Sequence, residues 1–129
     1  MKYTTQENPD NILIIRMIER DLFTHQPECF EKEILALIKI AEGRLVFNFS
    51  QLNSFDSNLL RVLTSALKES LKYPCGDIKL VGLNSIMRHI LHLSHLDCVF
   101  CHYESEADAV TAFQSPAISE ILHRHSIDN

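Results

Sequence analysis

A chain of 129 residues, 46% hydrophobic and 22% charged, is long enough for one domain with a sizeable core and too apolar for a disordered one. Its formal net charge of −5, with the basic residues scattered, excludes a basic nucleic-acid footprint. The longest aliphatic run, Ile12 to Ile15, is closed by Arg16, far short of the roughly twenty residues of a membrane span, so no membrane insertion is expected.

The amino terminus, Met1-Lys2-Tyr3-Thr4-Thr5-Gln6-Glu7, has no apolar stretch of the kind a secretory signal needs. The expected location is therefore the cytoplasm, where the four cysteines stay reduced and form no disulfide framework. Residues 1–11 are polar and fit either a short edge strand or a loose terminus. Ile12 to Glu19 is rich in β-branched residues and predicts a strand. Pro27 suits the first turn of a helix whose apolar face is Phe30, Ile34, Leu35, Leu37, Ile38 and Ala41, with Gly43 as its stop.

Leu45 to Ser50 predicts a buried strand, followed by a polar turn through Gln51 to Ser54. Asp56 and Ser57 are both acceptable N-caps for the next helix. Its spacing gives an apolar face of Leu59, Leu60, Leu63, Ala66, Leu67 and Leu71, opposite Asn58, Arg61, Thr64, Ser65, Lys68, Glu69 and Lys72. Tyr73-Pro74-Cys75-Gly76 breaks that helix, and Ile78 to Val81 predicts a third buried strand. Asn84 or Ser85 can cap a helix carrying Ile86, Met87, Ile90, Leu91 and Leu93. Cys98 to Tyr103 predicts a last strand, and the acidic turn at Ser105 to Asp108 opens a helix through Phe113. Beyond Pro116, Ile118, Ile121 and Leu122 predict a further short helix before a polar tail. Strands alternating with helices predict an α/β sandwich: a mostly parallel or mixed sheet covered by about four helices. Residues 1–114 form the domain and 115–129 a C-terminal extension.

Two groupings hint at cofactors. Cys98-Val99-Phe100-Cys101-His102 has the spacing of a c-type haem attachment site, but it falls on a predicted buried strand of a chain with no export signal. His89, His92 and His95 step by three along a helix, so each is rotated about 60° from the last and the three do not converge on one ion. Neither haem nor metal is expected. The chain's three glycines are isolated, so no phosphate loop is present, and nothing local assembles a nucleophile with a base. No enzyme and no cofactor are expected.

The ordered combination of these segments resembles the STAS family, the domain of anti-sigma factor antagonists. The family's strand, turn and Asp-Ser-Ser-Gly-Leu helix start is matched by Leu45 to Phe49 and Asp56-Ser57-Asn58-Leu59-Leu60. Ile78 to Gly82, Met87 to Asp97, and Phe100 with Glu104 to Phe113 resemble the family's later strand, helix and closing strand–helix, over roughly residues 12 to 114 in all. The resemblance implies a regulatory domain whose partner is an ATP-binding anti-sigma factor that is also a serine-protein kinase, and hence control of sigma-dependent transcription. By position it makes Ser57 the phosphoacceptor, beside Asp56. Asn53, Asp56, Ser57, Asn58, Leu59 and Arg61 are the expected partner-binding residues. Two positions depart from the family: Asn58 stands for its second serine and Leu59 for its glycine. A first-turn position beside a polar turn places Leu59 at the rim, as an added apolar contact. Two other readings stay open, a subunit of a transporter or sensory assembly that docks without phosphorylation, and a small ligand-binding or enzymatic domain using the strand ends. A homodimer is allowed by either.

Overall fold

A computed structural model of the chain describes residues 3–18, 27–53 and 55–114. Its centre is three short buried strands: β2 (Leu13–Met17), β3 (Arg44–Asn48) and β4 (Asp77–Val81), mutually parallel. The polar residues near the amino terminus form an edge strand, β1 (Tyr3–Glu7), antiparallel to β2. The opposite edge is β5 (Cys101–Tyr103), parallel to β4, giving the order β1-β2-β3-β4-β5. Because side chains alternate along a strand, Leu13, Ile15, Met17, Leu45, Phe47, Ile78 and Leu80 share one face. Helices α1 (Pro27–Ile40), α2 (Ser57–Ser70) and α3 (Ser85–Leu93) cover it through Phe30, Ile34, Ile38, Leu59, Leu63, Met87 and Leu91. The other face, with Ile12, Ile14, Val46 and Val81, is covered by α4 (Glu106–Gln114) through Ala109 and Phe113. The result is the mixed-sheet α/β fold expected, with helices on both faces.

Three expectations are corrected. The last strand does not begin at Cys98: the backbone turns through Asp97 to Val99, with Val99 and Phe100 N–H donating to the Leu96 carbonyl, and pairing starts only at Cys101. The buried stripe of α2 is Leu59, Val62, Leu63, Ala66, Leu67 and Ser70, at i, i+3, i+4, i+7, i+8 and i+11. That stripe is rotated from the expected apolar face, leaving Leu60 half-buried and Leu71 exposed at the C-cap. Ser70 is inside because α2 ends against the chain near Gly76, where an added Cβ would meet the Ser70 carbonyl oxygen at 1.9 Å. Finally, β2 ends at Met17 rather than at Glu19, a residue outside those described, as is the short helix expected after Pro116.

Candidate functional site

In a sheet of parallel strands, every following helix starts at the same end, beyond the strands' carboxyl termini, and polar groups gather there. The loop from β3 to α2 is held at that end by apolar anchors. Leu52 and Phe55 are buried, and the Phe55 ring meets Phe49 edge-on with centroids 5.2 Å apart. Phe49 N–H extends the β3–β4 ladder by donating to the Val81 carbonyl at 2.8 Å, and Ser50 N–H donates to Asn48 Oδ1 at 2.9 Å. Gly82, at φ +79°, lets β4 leave close by: a Cβ there would stand 2.8 Å from Ser50 N. A chain pinned at Leu52 and Phe55 has little freedom at the next residues.

Asp56 is the N-cap of α2. Its backbone is extended (φ −93°, ψ 169°), and Oδ1 accepts from Leu59 N–H at 2.6 Å. Of the two candidate caps, aspartate is the one used. Ser57 is the first residue of α2, and Ser57 and Asn58 are exposed, as are Asn53 before them and Arg61 one turn later. Arg61 Nη1 stands 3.4 Å from Glu31 Oε2 of α1. The first turn of α2 contains no acidic side chain, so its amide dipoles face solvent with only the Asp56 cap against them. Asn84 performs the same capping role for α3, accepting from Met87 N–H at 2.8 Å, and its Nδ2 donates to the Asn53 carbonyl at 2.8 Å. The starts of α2 and α3 are thereby fastened into one rim. Asn84 was legible only as a cap; its tie to Asn53, 31 positions away, carries no sequence signal.

Leu59 is the correction within this group. It has 0% exposure and lies in the main core, so its side chain is not part of the surface around Ser57. Its amide, rather than its side chain, belongs to the site, through Asp56.

A second polar group at the same sheet end fastens α4. Arg16, near the end of β2, donates from Nε and Nη2 to Glu106 Oε2 and Oε1 at 2.8 and 2.7 Å. Asn48, its neighbour across β3, donates to Glu106 Oε2 at 2.7 Å. The forked Arg16 hydrogen bonds hold the Glu106 carboxyl below its ordinary value, Asn48 adds to this, and partial burial opposes it. A lowered carboxylate pKa contributes stability above the unfolded-state value, about 4.3, and that contribution is lost as pH falls through the folded value. Glu106→Gln is expected to cost about 1 to 2 kcal/mol near neutral pH, discounted because solvent reaches Arg16. Urea melts at a series of pH values below about 7 check this: the gap between variant and wild type should narrow as the pH falls.

The cysteine–histidine groupings do not converge. None of the four cysteines is in a disulfide, Cys98 Sγ lies 3.7 Å from Asp97 Oδ1, and Cys101 is buried. His92 Nδ1 is 2.8 Å from Asp97 Oδ2, an imidazole contact that lowers the Asp97 pKa. Among the described residues no group of three or more His, Cys, Asp or Glu is placed to hold a metal. No helix among them is long and apolar enough to cross a membrane. A cavity lined by Asp10, Ile12, Arg44, Phe113 and Gln114 lies by the amino ends of β2 and β3, away from Ser57.

Solved structures share this architecture. An anti-sigma-factor antagonist (STAS) domain protein from Planctomyces limnophilus superposes with a TM-score of 0.77 at 17% identity, covering 87% of this chain and 97% of the other. The anti-sigma factor antagonist SpoIIAA in its unphosphorylated form gives 0.73 at 19% identity, covering 88% and 97%. The Bacillus cell fate determinant SpoIIAA in its phosphorylated form gives 0.64 at 21% identity, covering 85% and 97%. At these identities the likeness establishes the fold. Against curated proteins the sequence has no significant match. The family model for the STAS domain matches residues 3–109, most of the chain and every strand described above, and the chain therefore belongs to the STAS domain family.

Proposed function

We propose that this chain is an anti-sigma factor antagonist that works by binding rather than by catalysis, in the cytoplasm, and is switched at Ser57. Its partner is an ATP-binding anti-sigma factor that phosphorylates it; the unmodified chain sequesters that kinase and releases a sigma factor for transcription. The observation that carries this reading is the placement of Ser57: exposed, at the first helical position, immediately after the capping carboxylate. A hydroxyl there is open to a kinase, whereas a serine serving as the cap would be turned onto its own helix.

The physics of the switch follows from that placement. Phosphate adds about −1.5 to −2 charges and three strong acceptors. An α2 amino terminus without acids in its first turn tolerates that charge, so the fold is retained. A partner seated on Asn53, Asp56, Asn58 and Arg61 has to desolvate the phosphate or leave. Asn58, in place of the family's second serine, keeps a short polar side chain on this surface.

With the cognate kinase and ATP, intact-mass measurement should show one added phosphate, absent in Ser57→Ala. Ser57→Asp should weaken kinase binding at least tenfold while the thermal midpoint stays nearly unchanged. Phosphate mapped to another residue, with Ser57 untouched, ends the assignment. Recovery of a transporter ATPase in place of a kinase from the cell's soluble extract would favour docking in a different assembly.

A further inference from the structure

The outer strands of an open sheet each leave one row of backbone groups without a neighbour, and a bare edge is a template for another strand. On one side β5 is three residues long. On the other, β1 pairs with β2 through five consecutive positions, Tyr3 to Glu7, without a bulge. Thr4 to Glu7 are exposed. Edge strands are commonly kept single by a lysine, a proline or a bulge. β1 carries none of these, and its one charged residue, Glu7, stands at its end.

The hydrogen-bond phase of the strand fixes which groups point outward. Asn8, just beyond β1, donates its N–H to the Ile12 carbonyl at 2.8 Å, continuing the register that sets Glu7 against Leu13. Bonded and non-bonded pairs alternate along an antiparallel ladder, so Gln6 and Thr4 also bond to β2. Tyr3, Thr5 and Glu7 therefore turn their N–H and C=O groups away from the sheet, and no described residue bonds to them. Side chains alternate as well. The Tyr3 ring meets Phe30 of α1 with centroids 5.9 Å apart, and its hydroxyl donates to Glu33 at 3.0 Å. Thr5 and Glu7 share that side of the sheet, and Thr4 and Gln6 take the other.

We infer that β1 is a dimerisation edge, and that its occupant is the β1 strand of a second copy, antiparallel about a two-fold axis at Thr5. The phase of the strand selects the copy. In this register every outward residue meets an outward residue: Thr5 meets Thr5, and Tyr3 meets Glu7 at both ends, each pair exchanging two hydrogen bonds. A shift of one residue sets outward groups against inward ones and makes no bonds. A shift of two keeps fewer pairs within Tyr3–Glu7. The two-fold register also places threonine opposite threonine, a favourable cross-strand pair, and holds the two Glu7 carboxylates roughly 14 Å apart along the strands. Backbone bonds and polar side chains make up this contact rather than apolar area, so the dimer is weak and reversible. Ser57 follows β3, two strands in from this edge, and the inference does not depend on the proposed kinase.

The test is sedimentation equilibrium of the full chain from about 5 μM to about 1 mM, where a monomer–dimer equilibrium is expected. Thr5→Pro should weaken dimerisation about tenfold or more, because proline deletes an outward N–H and leaves the bonds of Thr4 and Gln6 to β2 in place. Its thermal midpoint at low concentration should stay close to that of wild type, since edge strands accept proline on the solvent side. Gln6→Pro, which deletes an inward N–H, should lower the midpoint, and that contrast checks the phase. Thr5→Lys changes no backbone bond but sets two ammonium groups face to face at the axis, and should give a loss that salt partly restores. A wild type that stays monomeric throughout the range overturns the inference. So does a dimer that both Thr5 variants retain, because its contact then lies on another surface.

Discussion

Replacement of Asp77 by alanine is expected to cost about 3 to 5 kcal/mol, the range for removing one member of a buried ion pair. Every residue of β4 is buried, including Asp77 and Lys79. Alternation sends Ile78 and Leu80 to the main core and Asp77, Lys79 and Val81 to the face under α4. Lys79 has 0% exposure; its Nζ lies 3.2 Å from Asp77 Oδ2 and 4.4 Å from the centroid of the Phe113 ring. The other Asp77 oxygen accepts from Ile78 N–H at 2.9 Å. Deleting the carboxylate takes from the buried ammonium its contact with Asp77, and the Phe113 and Tyr103 rings beside it offset only part of that loss. Asp77→Ala combined with Lys79→Met should recover most of the loss, since an apolar chain of similar length removes the buried charge together with its carboxylate. Urea melts of the two variants and wild type at neutral pH decide it. A single variant within about 0.5 kcal/mol of wild type would show that the carboxylate is dispensable to the lysine.

That pair also marks where sequence reading stops. β4 was placed within a residue of its ends and β3 within two, because a short apolar run between turn residues has few alternatives. The caps at Asp56 and Asn84 were legible because capping is local chemistry between a side chain and an amide three residues on. A lysine inside a short buried run, by contrast, carries no local sign of what surrounds it. Whether its face is wet depends on α4, which arrives more than twenty-five residues later and covers that side with Ala109 and Phe113. Arg16, Asn48 and Glu106 were missed for the same reason: three ordinary polar residues on three elements become a cluster only once β2 and β3 are in register and α4 is laid across them. The length of β5 failed differently. Cys98, Val99 and Phe100 have strand composition, but the turn closing onto Leu96 takes the amides of Val99 and Phe100.

Leu59→Ala is expected to cost about 2 to 5 kcal/mol, through lost burial and the cavity left behind. The opposite outcome follows if a first-turn residue beside a polar loop lies at the rim, and the packing shows why it does not. Asp56 takes the cap, so Leu59 is the third helical residue and starts the stripe that continues through Val62, Leu63, Ala66 and Leu67. Phe55 and Leu52, buried on the loop side, close the core around the same end of α2, so the first turn is enclosed rather than marginal. The aspartate's bond is to the Leu59 amide, which alanine retains, so the cap and the position of Ser57 survive the substitution. Stability and binding should therefore separate: denaturant melts show a loss of several kcal/mol, while at a temperature where the variant is folded its affinity for the proposed kinase stays within about threefold of wild type. Leu59→Met, which conserves volume, should cost less than about 1.5 kcal/mol. A Leu59→Ala chain that melts like wild type but has lost its partner would return Leu59 to the contact surface and contradict the packing of α2 described here.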